Sequence, residues 1–210
     1  MKPAGRWISA PGVVATFAVA VCATTFRPLM REAGAQSAPS SSAADVHFMQ
    51  GMIAHHAQAL VMAAMAPTHG ASAKVLLLCK KIAISQHDEI VMMQNWLTDR
   101  NQRAPDPKDP HFNEMPGMPG MQDMMPGMLS AEQLEQLDQA KDTAFDRLFL
   151  TFMIQHHQGA LTMVADLFAS PGAGQGADIF RYATDVDADQ RAEIGRMQLM
   201  LNSSSGSQSR

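Results

Sequence analysis

Met52-Ile53-Ala54-His55-His56-Ala57-Gln58-Ala59-Leu60-Val61-Met62 recurs 101 residues later as Met153-Ile154-Gln155-His156-His157-Gln158-Gly159-Ala160-Leu161-Thr162-Met163. Asp45 and Asp146 keep the same offset, as do Phe48 and Phe149. A second pattern, Gln86-His87-Asp88-Glu89-Ile90-Val91-Met92-Met93, returns 104 residues on as Gln190-Arg191-Ala192-Glu193-Ile194-Gly195-Arg196-Met197. Both patterns sit in runs whose apolar residues recur at helical spacing, and no stretch shows the sustained alternation of a strand. The chain therefore reads as two similar helical hairpins, each with His-His on its first helix and Gln-x-x-Glu-Ile-x-x-Met on its second. Two hairpins joined by a long connection make an all-α four-helix bundle the natural fold.

Working outward, hairpin 1 spans residues 45–100. Its first helix runs from Asp45 to Ala66, where Pro67-Thr68-His69-Gly70 stops it. Ser72 is placed to cap a second helix that reaches Arg100. Residues 101–129 are rich in proline and glycine and cannot be regular helix for long. Ser130 and Gln133 form a capping-box pattern that opens hairpin 2, residues 130–202. The helical reading continues to Phe168, with a break near Lys141 to Ala144. A turn at Ser170-Pro171-Gly172-Ala173-Gly174 precedes a last helix from Gly176 to Leu201. The tail, 203–210, has the Ser/Gln composition of a disordered end.

The first 35 residues carry the marks of an export signal. Lys2 and Arg6 supply positive charge, Val13 to Ala23 is apolar, and Ala33-Gly34-Ala35 offers a cleavage pattern that leaves Gln36 first. The alternative is an uncleaved anchor, since Trp7 to Phe26 approaches the length of a bilayer span. After cleavage no stable membrane span remains, residues 36–44 form a flexible lead-in, and 45–202 make one helical domain. Cys79 is then the last cysteine, so no intramolecular disulfide is possible. Its setting in Val75-Leu76-Leu77-Leu78-Cys79 suits a small buried hydrophobe. A net charge of −4, with 17% charged residues, lacks the basic patch that nucleic acid requires.

Composition points instead to metal, for the 210 residues include 18 methionines and 8 histidines, both soft or borderline ligand types. At about 100° per residue, Met49, Met52 and His56 fall on one stripe of the first helix. Met153 and His157 repeat it on the third long helix, with Leu150 in place of Met49. His55 and His156 lie about 100° from their neighbours and must point elsewhere, as flanking ligands or as orienting groups. Gln86, Ile90, Met93 and Leu97, and likewise Gln190, Ile194, Met197 and Leu201, form the facing stripes. Each single Met or His in such a stripe is an ordinary core residue; it is the duplication that raises the prospect of a ligand set. Imidazole binds metal in its neutral form, so affinity through a site lined by His56 and His157 should weaken as pH falls through about 6.5.

The sharper signal is Met115-Pro116-Gly117-Met118-Pro119-Gly120-Met121-Gln122-Asp123-Met124-Met125-Pro126-Gly127-Met128, six methionines in fourteen residues. A linker ordinarily takes Gly, Ser, Pro and charge, whereas this one carries thioethers on a backbone ill suited to burying them. Thioether is a neutral soft ligand that suits Cu(I) and discriminates against hard ions. The candidate ligands are thus Met49, Met52, His55, His56, Met115, Met118, Met121, Met124, Met125, Met128, Met153, His156 and His157. Copper is the expected metal, Cu(I) before Cu(II).

Asp45 to His56, Phe145-Asp146-Arg147-Leu148-Phe149-Leu150 and Met153 to Ala160 together resemble the domain of unknown function 305 family. The resemblance covers about Asp45 to Asn202. It implies a ferritin-like four-helix bundle, commonly exported, and a role like that of a periplasmic copper-binding, copper-resistance member. Ferritin-like does not imply di-iron here. Those sites need Glu-x-x-His, while Glu89 is followed by Met92 and Glu193 by Arg196. The leading function is an exported copper scavenger or chaperone without catalysis, partnered by copper ions and by a copper exporter or another periplasmic copper protein. One competitor is a zinc hydrolase, disfavoured because no His-Glu-x-x-His or nucleophile motif occurs. Another is an interaction bundle that uses the Met loop as a partner-binding surface.

Overall fold

Ser42 decides where the first helix begins. Its hydroxyl accepts the Asp45 N–H at 3.0 Å, and the Asp45 carboxylate accepts the Ser42 N–H at 2.8 Å. This capping box starts α1 at Ala43 and runs it to Met65, two residues earlier than the hydrophobic spacing alone indicates. In this computed structural model residues 41–108 and 125–205 are described. The export signal, the lead-in up to residue 40, Met115, Met118, Met121, Met124 and the last five residues lie outside them.

A 3-10 turn, Ala66–Thr68, ends α1. Ser72 caps α2, Ala73–Thr98, through the Val75 N–H. Ser130 and Gln133 form the expected capping box at the start of α3, Ala131–Gln139. The break after it falls at Ala140 and Lys141, at the near edge of the expected window. α4 then spans Asp142–Ala169, and α5 spans Ala177–Ser205, farther than the expected Leu201. All regular structure among the described residues is helical, and no described helix is long and apolar enough to cross a membrane.

Helix α1 packs along α2, α4 along α5, and α1 against α4. The aspartates of the repeat set this arrangement. Asp45 Oδ1 accepts the Gly174 N–H at 2.7 Å, tying the start of α1 to the turn after α4. Asp146 Oδ1 accepts the Ser72 N–H at 3.1 Å, tying the start of α4 to the turn after α1. The two central helices therefore run antiparallel, and the hairpins are related by a pseudo-two-fold axis. Both aspartates are structural anchors.

Two apolar clusters fill the bundle. One gathers Phe48, Met49, Met52, Met93, Trp96, Val164 and Ile179; the other gathers Met62, Ile82, Phe145, Phe149, Met153 and Met197. Between them lie the buried polar residues His55, His56, Gln86, His156, His157 and Gln190. Cys79 is buried and unpaired as expected, and burial pushes its thiol up to about 12, leaving it protonated and inert.

Candidate metal centre

The adjacency of His55 and His56 sends their rings to different neighbours. His56 faces α2, where its Nε2–H donates to the Glu89 carboxylate. The second copy repeats this, His157 Nε2 lying 2.6 Å from Glu193 Oε2. Both histidines are fully buried, and in both the opposite nitrogen, Nδ1, makes no hydrogen bond among the described residues. A histidine that gives one N–H to a carboxylate is fixed in orientation and tautomer, and its other nitrogen is made a better donor to metal.

His55 and His156 instead meet at the pseudo-two-fold axis, with ring centroids 3.8 Å apart and planes tilted by 36°. His55 Nε2–H donates to the Pro126 carbonyl at 3.1 Å. Neither nitrogen of His156 has a hydrogen-bond partner among the described residues. Burial, then the neighbouring His56, lowers the His55 pKa to about 3. Burial and His55 likewise hold His156 well below the ordinary histidine value. Both rings stay neutral well below the ordinary histidine range. Proton competition there begins at lower pH.

Met52 and Met153 are completely buried and Met49 nearly so, in the apolar clusters on either side of the histidine layer. The Met-rich connection ends against the same layer. A Cβ placed on Gly51 would lie 3.6 Å from Met125 Sδ, so this sulfur sits over α1. Gly159 meets the Pro126 carbonyl so closely that a Cβ there would stand 1.9 Å from the oxygen. Gln58 fastens the segment beyond, accepting the Leu129 N–H at 2.8 Å and donating to its carbonyl at 3.1 Å. Met128 is 9% exposed. That corrects the expectation of an exposed ladder at this position, because the docked backbone carries the side chain into the bundle.

Glu89 and Glu193 were not among the sequence candidates, although Gln-x-x-Glu is duplicated. Their role depends on the register between helices, which a sequence does not show. Among the described residues, no three His, Cys, Asp or Glu side chains are grouped to hold a metal. Thioether sulfur beside imidazole nitrogen is a donor set suited to copper, above all Cu(I).

A family model described as Domain of unknown function (DUF305) matches residues 45–209. The chain belongs to the DUF305 family. Among solved structures it is similar to a DUF305 fragment from Deinococcus radiodurans, with 29% identity, a TM-score of 0.63, and coverage of 78% of this chain and 99% of that one. It is also similar to CopM in the Cu(II)-bound form, with 26% identity, a TM-score of 0.59, and coverage of 76% and 96%. For CopM in the Cu(I)-bound form the values are 25%, 0.56, 76% and 96%. No curated protein matches the chain. DUF305 membership fits the all-helical bundle and the duplicated His-His helices, and it leaves the function to the site.

Proposed function

We propose that this DUF305 protein is an exported, non-catalytic copper-binding protein that takes Cu(I) first and Cu(II) second. The observation that carries the reading is the pair of carboxylate-anchored histidines. His56 and His157 each give Nε2–H to a glutamate and keep a buried Nδ1 free, in a layer flanked by Met52 and Met153. His55 and His156 add neutral imidazole at the axis, and Met49, Met125 and Met128 add thioether nearby. The similarity to CopM, whose solved forms are named for Cu(I) and Cu(II), supports copper over zinc. In this reading the signal is removed after Ala35, residues 45–202 act as one domain, and the Met-rich connection, 101–129, collects the ion. A periplasmic copper exporter or copper protein would receive it.

Replacing Met115, Met118, Met121 and Met124 together with Ser is expected to lower Cu(I) stoichiometry or affinity in an anaerobic competition titration. The thermal midpoint should remain nearly unchanged. Met128→Ser should instead cost about 2 kcal/mol, because a buried thioether leaves a cavity. Unchanged copper binding in the four-methionine variant would remove the linker from the ligand set.

A further inference from the structure

The inner side of α2, with Val75, Ile82, Ile90, Met93 and Leu97, is buried in the bundle. Its outer side does not turn polar. Among the described residues nine large apolar side chains are exposed, and five of them lie on this one helix: Leu76, Leu77, Ile84, Val91 and Met92. Leu77 and Ile84 are each 56% exposed. At about 100° per residue, Leu77, Lys81, Ile84, Asp88 and Val91 fall within about 80° of arc and form one ridge. Val91 also walls a groove whose α1 side carries the exposed Val61, so the apolar surface extends onto α1. Single exposed apolar residues are ordinary, whereas a contiguous strip edged by charge marks a contact surface.

The internal repeat supplies a control within the chain. At the offset of 104 that relates α2 to α5, Leu77, Ile84 and Val91 correspond to Arg181, Ala188 and Gly195. Lys81 and Asp88 correspond to Asp185 and Ala192. The same place in the second hairpin is filled without an apolar ridge, so the bundle itself does not require one on α2.

The charges on the ridge indicate what covers it. Neither Lys81 nor Asp88 makes an ion pair among the described residues. Their neighbours one turn away, Leu77, Leu78, Ile84, Ser85, Val91 and Met92, carry no charge. The two are about 10 Å apart along the helix axis, too far to pair with each other. Lys74, Lys80 and Lys81 precede Ile84, while Asp88, Glu89 and Asp99 follow it, an order that opposes the helix macrodipole. A second copy laid antiparallel on the same face, with Ile84 near the two-fold axis, brings each Lys81 beside the second copy's Asp88 and each Leu77 beside its Val91. A parallel copy would set like charges together. Such an isologous contact closes at the dimer.

We propose that the outer face of α2 is a homodimer interface, on which a second copy of this chain docks antiparallel about Ile84 with two Lys81–Asp88 contacts. The proposal does not rest on copper binding. A single helix face is small for an interface, so the dimer is weak and depends on concentration.

Sedimentation velocity of the metal-free full-length protein, run across a range of concentrations, reads the assembly. The expected result is a monomer–dimer equilibrium that stops at the dimer. Ile84→Glu, at an exposed position, sets two carboxylates at the axis and should weaken the dimer more than about tenfold. The far-ultraviolet helical signal should stay unchanged. Lys81→Glu and Asp88→Lys, each alone, oppose like charges and should weaken the dimer several-fold, and the two together should restore it. A protein that stays monomeric at every concentration would overturn the proposal and leave the face to a different partner. So would a dimer that survives Ile84→Glu, or single charge variants that the double variant does not rescue.

Discussion

Gly159→Ala is expected to destabilise the protein by about 3 kcal/mol, the upper end of overpacking costs, because the added methyl meets backbone rather than a movable side chain. The new Cβ would stand 1.9 Å from the Pro126 carbonyl oxygen and 2.7 Å from Gly127 Cα. Gly127 cannot readily give way. Its φ is 76°, and its own side lies against the Gln155 carbonyl and Gly159. The segment around Pro126 must lift, taking with it the acceptor of His55 and loosening the Gln58 clasp on Leu129. Gly195→Ala in α5 is the control. Nothing lies within 4 Å of its Cβ position, and alanine there should stabilise by about 0.5–1 kcal/mol through helix propensity. Urea unfolding of the two variants measures the contrast, and equal stabilities would mean that the segment is not seated on α4.

The second large effect is acid lability of the metal-free protein. His55 and His156 are neutral in the folded state with depressed pKa values, about 3 for His55, while unfolded histidine titrates near about 6.5. As pH falls below that value the unfolded chain takes up protons that the folded one refuses, so stability is present above about pH 6.5 and is lost below it. A histidine held neutral in the fold removes about 1.4 kcal/mol per pH unit. His55 alone therefore removes about 2.5 kcal/mol between about pH 6 and pH 4, and His156, shifted in the same direction, adds to the loss. His156→Leu is expected to lower the slope. Denaturation midpoints across this range test it. A flat profile in the unsubstituted protein would mean that these rings are not held neutral in the core.

The repeats and caps made most of the fold legible. Ser72 and Ser130 marked helix starts because their hydroxyls must meet orphan N–H groups. Hydrophobic spacing starts α1 at Asp45, which is in fact the third helical residue and closes a capping box begun by Ser42. In α1 the buried side extends beyond one stripe, with Gly51, His55 and Gln58 as well as Met52 and His56 covered. That helix is enclosed by α2, α4 and the docked segment, which blurs the periodic signal. Both His-His pairs were visible, and their divergent rings followed from helix geometry. The glutamate partners did not, because Glu89 lies 33 residues from His56 and only tertiary register joins them. Gly159, which replaces the equivalent of Gln58, marked the docking notch, but a glycine in a helix does not announce what approaches it. For the same reason composition placed Met128 in a solvated linker.

The most direct test is an anaerobic titration of the metal-free mature protein with Cu(I) and, separately, with Zn(II), each against a competing chelator of known affinity. Buried neutral imidazoles beside thioethers should withdraw Cu(I) from the competitor and leave Zn(II) largely with it. Zinc bound more tightly than Cu(I), or neither metal taken from the chelator, would contradict copper binding as the function of this bundle.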